Sequence, residues 1–242
     1  MPRTSIFATQ RPRTHLGLLA ALGFVVALSV PWLVIVLANA LPDKTVIAAL
    51  DDNVTNWLML HGTDSTDLLF KIVSHFGDWL LVVVVIGASV RFATRKQFPK
   101  VAALLSACVG AALLNVILAF SFRRAQSLAA TSFVSVAQGV SFPSGHCMVA
   151  LVAYGMLSYF VLVSTRLSAG RQTASVGVTV LLVGLIGFAR IDLGVHSLSD
   201  VVLGFAAGAV WLATCIVAYP RLVALSAATP APSPANLQPS TA

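Results

Sequence analysis

The chain contains no glutamate. Its eight acidic residues are all aspartates, and charged side chains make up only 10% of 242 residues against 58% hydrophobic ones. That balance is too apolar for a globular surface in water and points to helices whose outer surface is mostly lipid. Cysteine is scarce too. Cys108, Cys147 and Cys215 all lie in apolar stretches, so neither a disulfide framework nor a zinc-ligand spacing is present. The five histidines, His15, His61, His75, His146 and His196, are scattered along the chain and suggest no metal cluster. The net charge of +7 is not gathered into a basic patch with interleaved aromatics, which argues against nucleic acid as a partner. The cations sit between apolar runs instead.

A bilayer core about 30 Å thick takes about 20 helical residues to cross. Six runs of that kind occur, at 16–41, 68–90, 101–122, 147–165, 172–189 and 199–219. The expected fold is therefore all-α: a polytopic membrane protein with six transmembrane helices. Around them the chain divides into a basic N-terminus (1–15), the first span (16–41), an outer loop (42–67), a five-helix core (68–219) and a disordered tail (220–242), where Pro, Ala and Ser dominate after residue 228. Ala38-Asn39-Ala40 has the small-residue pattern of a signal-peptidase site. The apolar stretch before it is longer than a signal core, so the reading is an uncleaved anchor.

The second span is interrupted in its first half by Lys71, His75 and Asp78 and is uncharged only over 79–90. These polar groups are expected to emerge above the membrane, and His61, His75, Asp78 and Asp192 are read as outer-surface residues. In the outer loop, Val46, Ile47, Leu50, Val54, Trp57 and Leu58 recur at near-helical spacing beside Asp51 and Asp52. That pattern suits either an interfacial helix or a half-buried loop helix.

With the N-terminus in the cytoplasm, Arg3, Arg11, Arg13, Arg91, Arg95, Lys96, Lys100, Arg166, Arg171 and Arg221 fall on the inner side, as the positive-inside rule asks. Every aspartate then falls outside, with Lys44, Lys71, Arg123, Arg124 and Arg190. The expected location is a cell inner (plasma) membrane, with both termini cytoplasmic and the polar motifs at the periplasmic or extracellular face.

Two motifs occupy that face. Phe142-Pro143-Ser144-Gly145-His146 opens the fourth span, and Arg190-x5-His196-x3-Asp200 joins the fifth to the sixth. The first motif places Ser144, Gly145 and His146 at a helix N-terminus, where free N–H groups and the dipole favour an anion. Gly145 allows close backbone approach, and the Ser144 hydroxyl is a further donor. In the second motif, Arg190 carries a planar guanidinium suited to phosphate. His196 and Asp200 are one helical turn apart, so the carboxylate can hold one ring nitrogen and leave the other as a nucleophile.

Together these residues resemble the second and third signature motifs of the type 2 phosphatidic acid phosphatase superfamily, in order and on one membrane face. The resemblance implies a lipid phosphate or isoprenoid diphosphate substrate and no metal or other cofactor. It assigns His196 as the nucleophile that forms a phosphohistidine, His146 as the acid for the leaving oxygen, and Asp200 as the partner of His196. Arg190, Ser144 and Gly145 would bind the phosphate.

The family's first motif, Lys-x6-Arg-Pro, is poorly matched: Ala119, Gln126 and Ser127 stand at its three positions. Arg123 and Arg124 are the nearby cations, which either take over phosphate binding after a shift of about two residues or play a pure surface role. Loss of one charge-assisted contact to a developing phosphate charge costs on the order of 2 to 4 kcal/mol, roughly 30- to 1000-fold in rate. The leading expectation is an integral membrane phosphatase acting on a lipid monoester or pyrophosphate. The alternatives are a non-catalytic lipid-phosphate binder or transporter, and a lipid-to-lipid phosphotransferase.

Overall fold

The structure is a computed structural model, and it describes residues 45–122, 143–164 and 168–228 together with the isolated positions Val25 and Ser29. The described residues form helices without a strand: α1 (Thr45–His61), α2 (Asp64–Ser74), α3 (Trp79–Thr94), α4 (Phe98–Phe122), α5 (Gly145–Ser164), α6 (Ala169–Asp192) and α7 (Leu198–Ala228). Helix is what lipid demands, because a backbone N–H or C=O in hydrocarbon must be satisfied within its own segment. Five described stretches are long and apolar enough to cross a membrane: Thr66–Thr94, Phe98–Phe120, Gly145–Val163, Ala169–Asp192 and Leu198–Ser226. They match the last five expected spans. The first, 16–41, lies outside the described residues apart from Val25 and Ser29, and so do 1–15, Arg123 and Arg124.

The central trio is α4, α5 and α7. Leu104, Ala107, Ala111, Leu114 and Leu118 of α4 meet Met148, Val152, Met156 and Phe160 of α5 and Ala207 and Trp211 of α7, all of them buried. Lipid tails are as apolar as leucine, so in a bilayer this core is held by close packing and interhelical hydrogen bonds rather than by escape from water. The Trp211 indole N–H donates to the Ala107 carbonyl at 2.9 Å, a bond worth about 0.6 to 2 kcal/mol in that setting. At Gly204 a Cβ would stand 2.6 Å from the Ser144 carbonyl oxygen. Only glycine lets α7 lie against the start of α5. Val82, Val83 and Ile86 of α3, Val109 and Leu113 of α4, and Val178 and Leu181 of α6 face outward, as lipid-facing side chains would.

Two expectations are corrected. The run at 68–90 is not one helix: α2 and α3 are separated by a turn in which His75, Phe76, Gly77 and Asp78 each donate their backbone N–H to the carbonyl three residues back. Tertiary packing makes the break, since the Tyr154 hydroxyl donates to the Phe76 carbonyl at 2.7 Å and the turn is pressed against Ile186 of α6. Helix α2 then packs on α6 while α3 packs on α4. The second correction concerns the tail, which was expected to begin at residue 220. Helix α7 continues through Pro220 to Ala228. Proline removes one N–H from the ladder, the Arg221 guanidinium donates to the nearby Val217 carbonyl at 3.4 Å, and Leu222 packs against the central core.

Chain order sets the ends of α2, α4 and α6 and the starts of α3, α5 and α7 at one end of the bundle. Both motifs lie there.

Candidate active site

The second motif is shaped by two local devices. Helix α6 stops at Gly194, whose φ of +65° is a left-handed conformation that glycine adopts without penalty. The N–H of Gly194 donates to the Ile191 carbonyl at 2.9 Å and that of Val195 to the Arg190 carbonyl at 3.1 Å, which is the Schellman pattern for ending a helix. The His196 N–H reaches the same Arg190 carbonyl at 3.1 Å, so the chain doubles back and sets His196 beside Arg190. Helix α7 then opens with a capping box: the Ser197 N–H donates to Asp200 Oδ2 at 3.0 Å and the Asp200 N–H to Ser197 Oγ at 3.3 Å.

His196 Nδ1 lies 3.9 Å from Asp200 Oδ2, an ion-pair distance rather than the hydrogen bond expected from the spacing. The reason is that Oδ2 is held by the Ser197 N–H. Both side chains are buried, at 7% and 8% exposure. With Nδ1 turned toward Asp200, Nε2 is the ring atom left for chemistry.

The first motif is joined to the second through the backbone, where the Ser144 N–H donates to the Asp200 carbonyl at 3.0 Å. The first backbone bond of α5 runs from Met148 to the Ser144 carbonyl. The N–H groups of Gly145, His146 and Cys147 therefore have no acceptor within the helix. Gly145 is needed for packing as well, since a Cβ there would stand 2.5 Å from the Asn115 amide of α4. The rings of His146 and His196 are 6.3 Å apart between centroids and inclined at 54°. Ser144 Oγ and Arg190 Nε are both buried without a hydrogen-bond partner among the described residues. Buried donors are rarely left unused, and two of them on the residues expected to bind phosphate fit an anion site.

Two acidic groups complete the end of the bundle, and the sequence reading had given neither a role. Asp78, read as an outer-surface residue, sits at the start of α3 with Oδ1 2.7 Å from His146 Nε2 and 3.7 Å from Arg190 Nη1. Buried Ser74 accepts from Arg190 Nη1 at 3.1 Å and donates to Asp78 Oδ2 at 3.4 Å. A carboxylate interrupting an apolar run was the available signal, because membrane-embedded acids are rare and commonly functional. Asp51, buried on α1, accepts from the Ser199 N–H at 2.9 Å and from the Ser199 hydroxyl at 2.7 Å. It thus puts negative charge at the α7 N-terminus, where the helix dipole favours it. Leu58 of α1 packs with Cys147, Ile191 and Val201, while Leu50, Trp57 and Leu60 stay exposed. Helix α1 is thus anchored on the second motif and presents a second apolar face outward. His61 and His75 are exposed and stay apart from the cluster, as expected of them.

Of the expected site residues, His146, His196, Asp200, Arg190, Ser144 and Gly145 converge on this end, whereas Arg123 and Arg124 lie outside the described residues. Ala119, at the first-motif lysine position, is half-buried on α4 and brings no charge.

A family model described as the PAP2 superfamily matches residues 100–224, which covers half of the chain and both motifs. Among solved structures, the fold is similar to the first transmembrane PAP2 type phosphatidylglycerolphosphate phosphatase from Bacillus subtilis. The TM-score is 0.61 at 21% identity, covering 81% of this chain and 92% of that one. LpxE from Aquifex aeolicus also matches, with a TM-score of 0.49 and 21% identity over 69% of this chain and 92% of that one. A search of curated proteins finds no match.

Proposed function

The chain belongs to the PAP2 superfamily, and from that membership we propose that it is an integral membrane lipid phosphatase that works through a phosphohistidine on His196. The observation that carries the reading is the pair of imidazoles 6.3 Å apart, with Ser144 Oγ and Arg190 Nε at the same end of the bundle unpartnered among the described residues. That arrangement suits a phosphoryl group engaged by both rings, one as nucleophile and one as acid.

In the first step His196 Nε2 attacks phosphorus, the bond to the leaving oxygen breaks, and His146 delivers a proton to that oxygen. Asp200 offsets the charge that develops on the His196 ring. In the second step water attacks phosphorus, the N–P bond breaks, and His146 takes the water's proton. Charge on the equatorial oxygens is met by Arg190, by the Ser144 hydroxyl and by the free N–H groups at the start of α5. One such donor is worth about 2.7 to 4 kcal/mol in the transition state. Arg123 and Arg124 are assigned as further phosphate contacts on sequence grounds alone.

The substrate is a phosphate monoester or diphosphate whose tail stays in the bilayer while its head meets the outer end of the bundle. Phosphatidic acid, an isoprenoid diphosphate, lipid A phosphate and phosphatidylglycerol phosphate, which names the Bacillus protein of similar fold, are the lipids to try. Purified full-length protein in detergent is expected to release phosphate from at least one of them, and His196→Ala is expected to fall to background. Ala119, neutral at the family's lysine position, favours a second reading in which the site binds lipid phosphate without turnover. Equal inertness of wild type and His196→Ala, with lipid binding retained, would select that reading.

A further inference from the structure

Asp78 lies outside both motifs and outside the matched residues 100–224, yet its 2.7 Å contact with His146 Nε2 is among the shortest polar contacts at this end of the bundle. Resting on the phosphatase reading above, we infer that Asp78 is a positioning residue for the acid histidine: it holds the Nε2–H of His146 and so turns Nδ1 toward the leaving oxygen.

A carboxylate beside a phosphate-binding arginine carries a cost, because it repels an anionic substrate and must be kept charged near lipid. The surroundings of Asp78 meet that cost on every side. Oδ1 faces His146 at 2.7 Å and Arg190 at 3.7 Å, and Oδ2 accepts from the Ser74 hydroxyl at 3.4 Å. The turn that carries it is built to close tolerance. A Cβ on Gly77 would come within 2.8 Å of Ile186 Cγ2 and 4.0 Å of His146 Cβ, and Tyr154, on the same helix as His146, holds the Phe76 carbonyl at 2.7 Å. Helix α5 thus fixes both the acid and the turn bearing its carboxylate.

Before the reaction His146 carries protons on both nitrogens, with Nε2–H donated to Asp78. As the bond between phosphorus and the leaving oxygen breaks, the Nδ1 proton moves to that oxygen. The neutral ring keeps its Nε2 proton against the carboxylate. When water displaces His196 from phosphorus, its proton goes to Nδ1 and restores the starting state. Asp78 stays ionised throughout and exchanges no proton. The site then has two aspartate–histidine pairs: Asp200 behind the nucleophile and Asp78 behind the acid.

The test compares two leaving groups on detergent-solubilised full-length protein. A lipid phosphate leaves as an alkoxide-like oxygen that needs a proton, whereas p-nitrophenyl phosphate releases a phenolate that needs little help. In a single turnover, where formation of the phosphohistidine is read by itself, Asp78→Asn is expected to slow the lipid on the order of 100-fold and p-nitrophenyl phosphate by less than about fivefold, with steady-state KM nearly unchanged. Asp78→Glu should recover part of the lipid activity. The double variant Asp78→Asn/His146→Ala should be no worse than His146→Ala alone, since both act on one proton transfer. Equal losses on the two substrates would make Asp78 merely structural and overturn the inference. A fall in KM at constant kcat would also overturn it, showing instead that Asp78 stands in the phosphate's place. Wild type inert on both substrates would defeat the phosphatase reading itself, whereas active wild type with equal losses in Asp78→Asn defeats this inference alone.

Discussion

His196–Asp200 and His146–Asp78 are the two aspartate–histidine pairs of this site, and they are assembled in opposite ways. The first is local. Its members are one helical turn apart, and the Schellman turn at Gly194 and the capping box at Ser197 shape their segment by short-range backbone bonds. The second is tertiary. His146 opens α5, Asp78 opens α3, and they meet because the turn between α2 and α3 packs on Ile186 and Tyr154. In contact distance the order reverses, with 3.9 Å in the local pair and 2.7 Å in the tertiary one. A local pair survives wherever its segment folds, whereas a tertiary pair depends on the whole bundle.

That difference can be attacked from either side. The largest effect is expected from Asp200→Asn, which removes the charge behind the proposed nucleophile. Phosphate release should drop about 10³- to 10⁴-fold on lipid and on p-nitrophenyl phosphate alike, because in the proposed mechanism both substrates are attacked by the same nucleophile, whichever oxygen leaves. Steady-state kinetics on both substrates checks this. A loss confined to the lipid would show that Asp200 serves the acid instead.

Gly194→Ala should come next. A side chain at φ +65° is strained by about 1 to 2 kcal/mol, and the turn that brings His196 to Arg190 is expected to loosen. Thermal unfolding in detergent should move down by a few degrees, with a loss of roughly tenfold in kcat on both substrates. Tyr154→Phe should be the mildest. It removes one hydrogen bond to the Phe76 carbonyl, worth about 1 kcal/mol, and disturbs only the tertiary pair. A small decrease on the lipid, with p-nitrophenyl phosphate turnover nearly unchanged, is the expected pattern. Equal decreases on both would mean that the turn supports the fold rather than the acid.

What could be read from the sequence follows the same division. The five described spans came from hydropathy, and the residues of the two motifs came from their spacing together with their resemblance to the family's signature motifs, because each is a property of one contiguous stretch. The break between α2 and α3 was missed because an apolar run with Gly77 in it reads as one helix, and only Ile186 and Tyr154 show why it turns. Asp78 was taken for a surface residue for the same reason: its partners His146 and Arg190 come from distant parts of the chain. Helix α7 outran its expected end because Leu222 packs on the core beyond Pro220, a reward that local propensity does not contain. Asp51 gave no signal at all, being one of two aspartates on an amphipathic helix until α1 is docked on Ser199.

The most direct measurement is rapid acid-free quenching of the enzyme during turnover of a lipid carrying a radiolabelled phosphate, followed by location of the label on the chain. The expected result is a label on His196 that is stable in base and lost in acid, appears within the first turnover, and is absent from His196→Ala. Turnover of the lipid with no label on the protein, or a label that persists in His196→Ala, would contradict the assignment of His196 as the nucleophile.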